Sequence, residues 1–312
     1  MEELKVKYTG KIKEVEIGTG DKKIKVGGEN CFNFHNFEGE IPHLPVISFE
    51  VPDIQPNDWP ESCIEPFKDV LDNPVSWCKK CVEEFGAEVL TVHLISADPH
   101  GANKSSDEVR KTVEKIVNNV DVPLLFWGVD NEEKDVEILR MVAEVCEGKN
   151  VAIGPCIDKN YKQIGAAAIG YKHVVIASTP IDVNLAKQLN ILLMELGVPE
   201  EKIIIDPTTG GLGYGIEYTY SVMERIRIAG LLQQDDKLAF PMICYLSKEV
   251  WKTKEVTIPE SLEPNLGKIK ERGITMEGIT ATLLALSGAD ILVIRHPETV
   301  KLLTEFLSEM KK

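Results

Sequence analysis

The chain has 312 residues, of which 43% are hydrophobic, 27% charged and 6% aromatic, proportions that exclude a disordered or fibrous protein. Its formal net charge of −15 argues against nucleic-acid binding, which depends on Lys and Arg neutralising phosphates. No apolar run approaches the roughly 20 residues that span a bilayer, the opening MEELKVKYTG lacks a signal-peptide core, and the cysteines are scattered, so a cytoplasmic, membrane-free location is expected.

Residues 1–40 alternate in strand fashion around a Gly-Thr-Gly-Asp turn at 18–21. They predict an N-terminal β-hairpin and arm covering the bottom of whatever fold follows. From residue 41 onward, short β-branched runs alternate with longer amphipathic segments. The strand candidates are residues 44–51 (LPVISFEV), 88–95 (EVLTVHLI), 122–129 (VPLLFWGV), 150–154 (NVAIG), 173–177 (HVVIA), 202–206 (KIIID), 239–245 (AFPMICY) and 290–295 (DILVIR). All are nearly continuous apolar runs, as strands buried on both faces must be.

Eight strand–helix units in roughly 250 residues predict a single TIM (β/α)8 barrel over 41–312, an α/β fold, with a doubly wound sheet as the alternative. One helix is predicted over 181–196, with Ile181, Leu185, Leu189, Leu192, Leu193 and Leu196 on one face. Thr179 would cap it, Pro180 would open it and Asp182 would complete a capping box. Residues 246–273, bearing Pro and many charges, predict a long connection that is functional or mobile.

In such barrels the working face is built from the loops that follow the strands. Those loops hold Asp53, Ser96, Asp98, His100, Asn103, Gly128, Asp130, Cys156, Ser178, Thr179, Asp206, Thr208, Thr209, Arg295 and His296. The glycine cluster Gly210, Gly211, Gly213, Gly215, interleaved with Tyr214, follows a strand and precedes a helix. Its backbone N–H groups could cradle a ligand, or the turn could simply let the helix pack closely. The spacing is not a dinucleotide fingerprint. Asp206 ends its strand and either binds a ligand or caps its own turn. Arg295-His296-Pro297 either forms a phosphate site or starts a helix at Pro297, with His296 as its cap. The Cys78-x-x-Cys81 pair stands alone in a helical stripe and reads as buried, inert thiols. Asp98-Pro-His100 approaches the D-x-H-x-x-G pattern that supplies a histidine to cobalt, but Asn103 replaces the final glycine. No Ser/His/Asp order and no H-E-x-x-H is present.

Several stretches resemble one family: residues 34–40 (FHNFEGE), 46–60 (VISFEVPDIQPNDWP), 97–103 (ADPHGAN), 178–196, 203–231 (IIIDPTTGGLGYGIEYTYSVMERIRIAGL) and 295–298 (RHPE). They are similar to the small subunit of the corrinoid iron–sulfur protein of the acetyl-CoA (Wood–Ljungdahl) pathway of anaerobic carbon fixation. That family is equivalent to the delta subunit of the archaeal acetyl-CoA decarbonylase/synthase complex. The resemblance implies a TIM barrel that forms a heterodimer with a large subunit carrying an iron–sulfur cluster and a cobalamin-binding domain. The cobalamin would lie between that domain and the loop face of this barrel, without a protein histidine on cobalt. Cobalt would take a methyl group from methyltetrahydrofolate through a separate methyltransferase and deliver it to acetyl-CoA synthase. This subunit would then be a non-catalytic cap, binding the corrinoid through Asp98, Asn103, Ser178, Thr179, Asp206, Thr208, Thr209, Gly210, Gly211, Gly213, Tyr214 and Arg295. The long 246–273 connection would contact a partner. Two alternatives remain open: a pterin-binding corrinoid methyltransferase using Asp206 and Asn103, and a purely structural partner of the large subunit.

Overall fold

The computed structural model describes residues 5–210, 212 and 215–310. Strands β1 (Val15–Ile17) and β2 (Ile24–Val26) pair antiparallel as a short hairpin. They are followed by β3 (Val46–Pro52), β4 (Val89–His93), β5 (Leu124–Trp127), β6 (Ala152–Cys156), β7 (Val174–Ser178), β8 (Ile203–Asp206), β9 (Ile243–Cys244) and β10 (Ile291–Ile294). These eight are parallel in the order β8-β7-β6-β5-β4-β3-β10-β9, and a bridge between Ile205 and Met242 joins β8 to β9 and closes the ring.

Helices follow the strands. They are α1 (Glu61–Ile64) and α2 (Pro74–Glu83) after β3, α3 (Ser106–Asn119) after β4, α4 (Glu132–Val145) after β5, and α5 (Tyr161–Tyr171) after β6. Next come α6 (Val183–Leu196) after β7, α7 (Glu217–Leu232) after β8, α8 (Ser247–Val250), α9 (Lys254–Thr257) and α10 (Ile269–Leu286) after β9, and α11 (Pro297–Met310) after β10. The expected (β/α)8 barrel is therefore present, with a hairpin before it.

Alternation of side chains along each strand sorts the core into two layers. Outward residues such as Leu90, Phe126, Ile153, Val175 and Ile205 pack against the helices. Inward residues Val89, Leu125, Ala152, Val174, Ile204, Ile243 and Ile291 fill the barrel, joined by Val15, Ile17 and Val26 of the hairpin. Most of these inward residues sit at or near the starts of their strands, so the hairpin plugs the floor of the barrel.

A buried ion cluster fastens that floor. Arg227 on α7 lies 2.5 Å from Asp290 Oδ2 and 3.0 Å from Glu29 Oε1 of the arm. It also donates to the carbonyls of Gly288 and Phe240. Burial and the neighbouring Asp290 push the Glu29 carboxyl up to about 7, against the pull of Arg227. The arm then crosses α7 at bare backbone: a Cβ on Gly10 would stand 1.9 Å from the Gly230 carbonyl oxygen.

Three expectations need correction. The helix predicted from 181 begins at Val183, capped by Asp182, which accepts from the Asn184 and Leu185 N–H groups. Thr179 and Ile181 instead donate their N–H groups to Asp206 and Pro207, so the chain is still tied to the loop after β8 where the helix was expected to start. Its apolar stripe is also narrower, since Leu189 and Leu193 are buried but Leu185 is exposed. The 246–273 connection is not a plain loop: it contains α8, α9 and the first turn of α10. Arg272 pins it by donating to the carbonyls of Gly267, Ile258 and Glu263. Finally, β9 is only two residues long, because Pro241 has no N–H to give and the Met242 N–H is taken by the Asp290 carboxylate at 2.6 Å.

Removing Arg227 leaves two carboxyls without their shared cation in the dry floor. Arg227→Ala is expected to lower unfolding stability by about 3–5 kcal/mol, read from urea unfolding. A loss under 1 kcal/mol would show that the cluster does not fasten the floor.

Candidate functional site

The inward positions at the other end of the strands are polar. Counting by twos from the apolar floor brings Glu50, His93, Trp127, Ser178, Asp206, Tyr245 and Arg295 to one layer at the strands' C-terminal ends. This layer divides into a sealed half and an open half.

The sealed half lies around β3, β4, β9 and β10. Arg295 donates to both oxygens of Glu50, at 2.6 and 3.0 Å, and its guanidinium stacks 4.2 Å over the Trp59 ring. Ser247 donates to Glu50 Oε2 at 2.7 Å, and His93 Nδ1 lies 3.2 Å from Oε1 and 2.9 Å from the Tyr245 hydroxyl. Burial raises the Glu50 carboxyl, but Arg295 and His93 outweigh it and hold the group well below the usual carboxylate range. At the end of β10 the backbone N–H groups of Arg295 and His296 both donate to the Glu277 carboxylate. The donors that could have held a phosphate there are thus already used. His296 accepts from the Glu298 N–H and caps α11, which starts at Pro297. Burial drives the His296 ring down to about 4.

The open half is a cavity of about 380 Å³ bounded by the loops after β5 to β9. Ser178, Thr179, Asp206, Thr208 and Thr209 line it, together with Trp127, Asp135, Asn160 and Tyr245. Trp127 and Tyr245 form an edge-to-face pair with centroids 4.8 Å apart. At the rim Lys248 pairs with Asp130. Asp135 accepts from the Val129 N–H at 2.7 Å. That carboxyl sits so close to the strand end that a Cβ on Gly128 would stand 2.1 Å from its Oδ1.

Several polar atoms at this cavity lack partners. Trp127 Nε1, Asn160 Nδ2 and Thr179 Oγ1 are buried with no hydrogen bond among the described residues, and Thr209 Oγ1 makes no well-formed bond, although it lies near enough to the Cys244 thiol to draw that group's pKa down. Ser178 Oγ also makes no well-formed bond, although it lies near enough to Asp206 to draw that carboxyl's pKa down. Most buried polar groups in folded proteins are satisfied, so a concentration of unmet ones marks a place built to meet something else.

Asp206 is 4% exposed and, among the described residues, takes only the Thr208 N–H at 3.0 Å as a well-formed bond. It therefore caps its turn and faces the cavity as well. Burial raises its carboxyl to about 6, against the pull of Ser178 and Thr208. Thr208, at φ +60°, donates its hydroxyl to the Thr179 carbonyl.

The remaining expected site residues lie elsewhere. Asp98 holds its own loop by accepting from the His100 N–H, and Asn103 is an exposed residue of that same loop. The Gly210 N–H donates to Thr219 Oγ1 at 3.2 Å and is not free to cradle a ligand. Arg295 is neutralised in the sealed half. Gly211, Gly213 and Tyr214 lie outside the described residues. Glu50, His93, Trp127, Asp135, Asn160 and Tyr245 were not singled out from sequence. A Glu inside LPVISFEV and a His inside EVLTVHLI were the available signals. Cys78 and Cys81 are buried, and burial pushes the Cys78 thiol up to about 12, as inert thiols require.

A carboxyl raised from 3.8 to about 6 costs stability wherever it must be ionised in the fold. The folded chain binds more protons than the unfolded between those values, so this group's contribution improves as pH falls through 6 towards 3.8. Asp206→Asn should therefore stabilise the protein by about 1–3 kcal/mol at pH 7.5, and the gain should shrink at pH 5. Urea midpoints at the two pH values test this; a loss of stability at pH 7.5 would mean the carboxylate is held by more than Thr208 and Ser178.

Residues 14–308 match the family described as CO dehydrogenase/acetyl-CoA synthase delta subunit. The acetyl-CoA decarbonylase/synthase complex subunit delta of Archaeoglobus fulgidus is 37% identical over 99% of this chain and 70% of its own length. That of Methanopyrus kandleri is 36% identical over 96% of this chain and 76% of its own. Among solved structures, Xanthomonas albilineans dihydropteroate synthase with 4-aminobenzoic acid superposes with a TM-score of 0.62 at 14% identity, covering 96% of this chain and all of that one. The Vibrio fischeri 7,8-dihydropteroate synthase gives 0.60 at 12% identity, covering 96% and 99%. These structures share the barrel, whereas the delta subunits share sequence over almost its whole length. The chain belongs to the family of CO dehydrogenase/acetyl-CoA synthase delta subunits.

Proposed function

We propose that this delta subunit serves a methyl-carrying corrinoid iron–sulfur unit, with the mouth of the barrel covering a cobalamin held by a larger partner subunit. The observation that carries the reading is the polar mouth itself. A ring of hydroxyl, amide and carboxyl groups surrounds the strands' C-terminal ends, and several of them are buried without partners. A corrin ring carries amide arms that both donate and accept, and such arms suit Thr179, Thr208, Thr209 and Asp206 on one side of the mouth. On the other side Asp98 and Asn103 stand on the loop after β4, where they would meet the edge of a broad, flat ligand.

When bound, the corrinoid supplies a cobalt centre able to take up and release a methyl group; the chemistry is the cofactor's own. This chain's part is to hold, orient and keep water away. The sealed half suits that part, because a fully paired Glu50–Arg295 layer presents no open charge beneath the ligand. The iron–sulfur cluster belongs to the partner in this reading. The methyl donor's transferase and acetyl-CoA synthase are the proteins the assembled unit would meet. The segment pinned by Arg272, in the connection after β9, carries exposed Leu262 and Leu266 and is the natural surface for such contacts.

Anaerobic co-expression of this chain with a candidate large subunit, followed by ultraviolet–visible spectroscopy of the purified complex, tests the reading. A base-off cobalamin spectrum that weakens when this chain is omitted is the expected result. A full corrinoid spectrum from the large subunit alone, unchanged on adding this chain, would leave the barrel a scaffold.

A further inference from the structure

We propose that the outward face of α10 is a pairing surface for a second copy of this chain, the two helices crossing at Gly278. The inference goes beyond the corrinoid reading and does not rest on it, since the face lies on the outer wall of the barrel.

The sequence marks this face first. Between Arg272 and Asp290 the chain carries a single charged residue, Glu277, although 27% of the whole is charged. Glu277 points inward, fully buried, and accepts from Trp251 Nε1 and from the backbone N–H groups of Arg295 and His296. The outward side of the helix is left with Thr275, Gly278, Ile279, Thr282, Leu283 and Leu286, which helical spacing puts on one stripe. Ile279 is 58% exposed, and Leu283 and Leu286 are exposed with it. The outer faces of α3 and α4 are of the usual solvated kind, presenting Asp107, Lys111 and Lys115 in one and Glu133, Glu137 and Arg140 in the other. Contiguous exposed aliphatics of this sort mark an interaction surface.

Gly278 is the second sign. A glycine inside a helix costs stability relative to alanine and is used where another group must come close. Here a Cβ would meet nothing within 4 Å, so nothing in this chain needs the space. One turn on, Thr282 donates its hydroxyl to the Gly278 carbonyl at 2.8 Å, so covering this turn strands no hydroxyl. Beside the stripe, Met276, Ile279 and Leu283 share a groove of about 480 Å³ with Leu212 and Ile216.

These features select the occupant. Projecting side chains and bare backbone stand within two turns of one helix, so a copy related by a twofold axis offers knobs to holes and holes to knobs. Charge gives the same answer. Two chains of net charge −15 repel wherever their acidic surfaces meet, and the stripe carries none of those charges. A standard interface buries about 800 Å² on each partner, with an apolar centre and a polar rim. The stripe supplies the centre, while Glu255 and Glu271, which also line the groove, fall on the rim and stay hydrated.

Sedimentation equilibrium of the full chain, from low to high micromolar concentration, tests the proposal. The expected result is a species of twice 34.7 kDa that builds up with concentration. Added salt should not loosen it, because no ion pairs cross the stripe and the repulsion between copies is screened. Ile279→Arg, at an exposed position, should weaken pairing at least tenfold. Gly278→Leu should do the same while holding or raising the urea midpoint of the dilute chain, because leucine is the better helix former. Ile169→Arg, on the exposed side of α5, should leave pairing unchanged. A monomer at every concentration, a pair that salt dissociates, a pair that survives Ile279→Arg and Gly278→Leu, or one that Ile169→Arg breaks would each overturn the proposal. So would a monomer whose Ile279→Arg variant loses only its binding to a co-expressed large subunit, which would give the face to an unlike partner.

Discussion

A closed ring of parallel strands has an interior that water cannot reach from the sides, so every inward side chain must be answered from within the ring or from its two ends. In this protein that constraint governs both ends. At the floor the inward residues are aliphatic, and the answer is more aliphatic surface from the β1–β2 hairpin. At the top they are polar, and burial makes each an electrostatic problem with a local solution. The Glu50–Arg295 pair is the largest of these. Its bidentate geometry, aromatic stacking and the extra donor from Ser247 are what a buried pair needs to offset the loss of water.

The same layer shows what happens when the solution is left incomplete. Asp206 sits at the same level as Glu50 but has no cation beside it among the described residues, and the two carboxyls are driven in opposite directions as a result. Stability alone would favour a neutral side chain at position 206. Retaining an ionisable group there, among donors with no acceptor, fits the general pattern in which functional sites carry costs that the surrounding fold absorbs. The floor cluster of Arg227, Asp290 and Glu29 belongs to the other kind: its charges answer one another and fasten the arm to α7 and the barrel.

Much of the architecture was legible because parallel strands buried on both faces must read as apolar runs, and eight such runs alternating with amphipathic segments leave few other folds. Asp206, Thr208, Thr209, Ser178 and Thr179 were legible for a related reason: they end strands or open the loops that follow. What could not be read was three-dimensional register. Glu50 looked like one polar residue inside a strand until its level was matched to that of His93 and Arg295 across the ring. Arg295 looked available because its partner lies 245 positions away in the chain. Asn160 stands one loop beyond its strand, and nothing local distinguishes it from an ordinary residue at a helix start. The start of α6 was misplaced for a different reason. Pro180 is a good first helical residue, but Thr179 and Ile181 are held by the neighbouring loop, and a tertiary bond outweighs a local preference.

The division of the mouth into a paired half and an open half has a consequence for how this barrel can evolve. Substitutions at Glu50, His93 or Arg295 disturb groups that depend on one another, so a single change strands a buried partner and the three must drift together or not at all. Around Asp206 each polar group stands nearly by itself, and one can be exchanged without orphaning another. Such a barrel can remodel what it recognises on one side while the other side keeps the fold, so lineages sharing this scaffold are free to diverge in ligand before they diverge in shape.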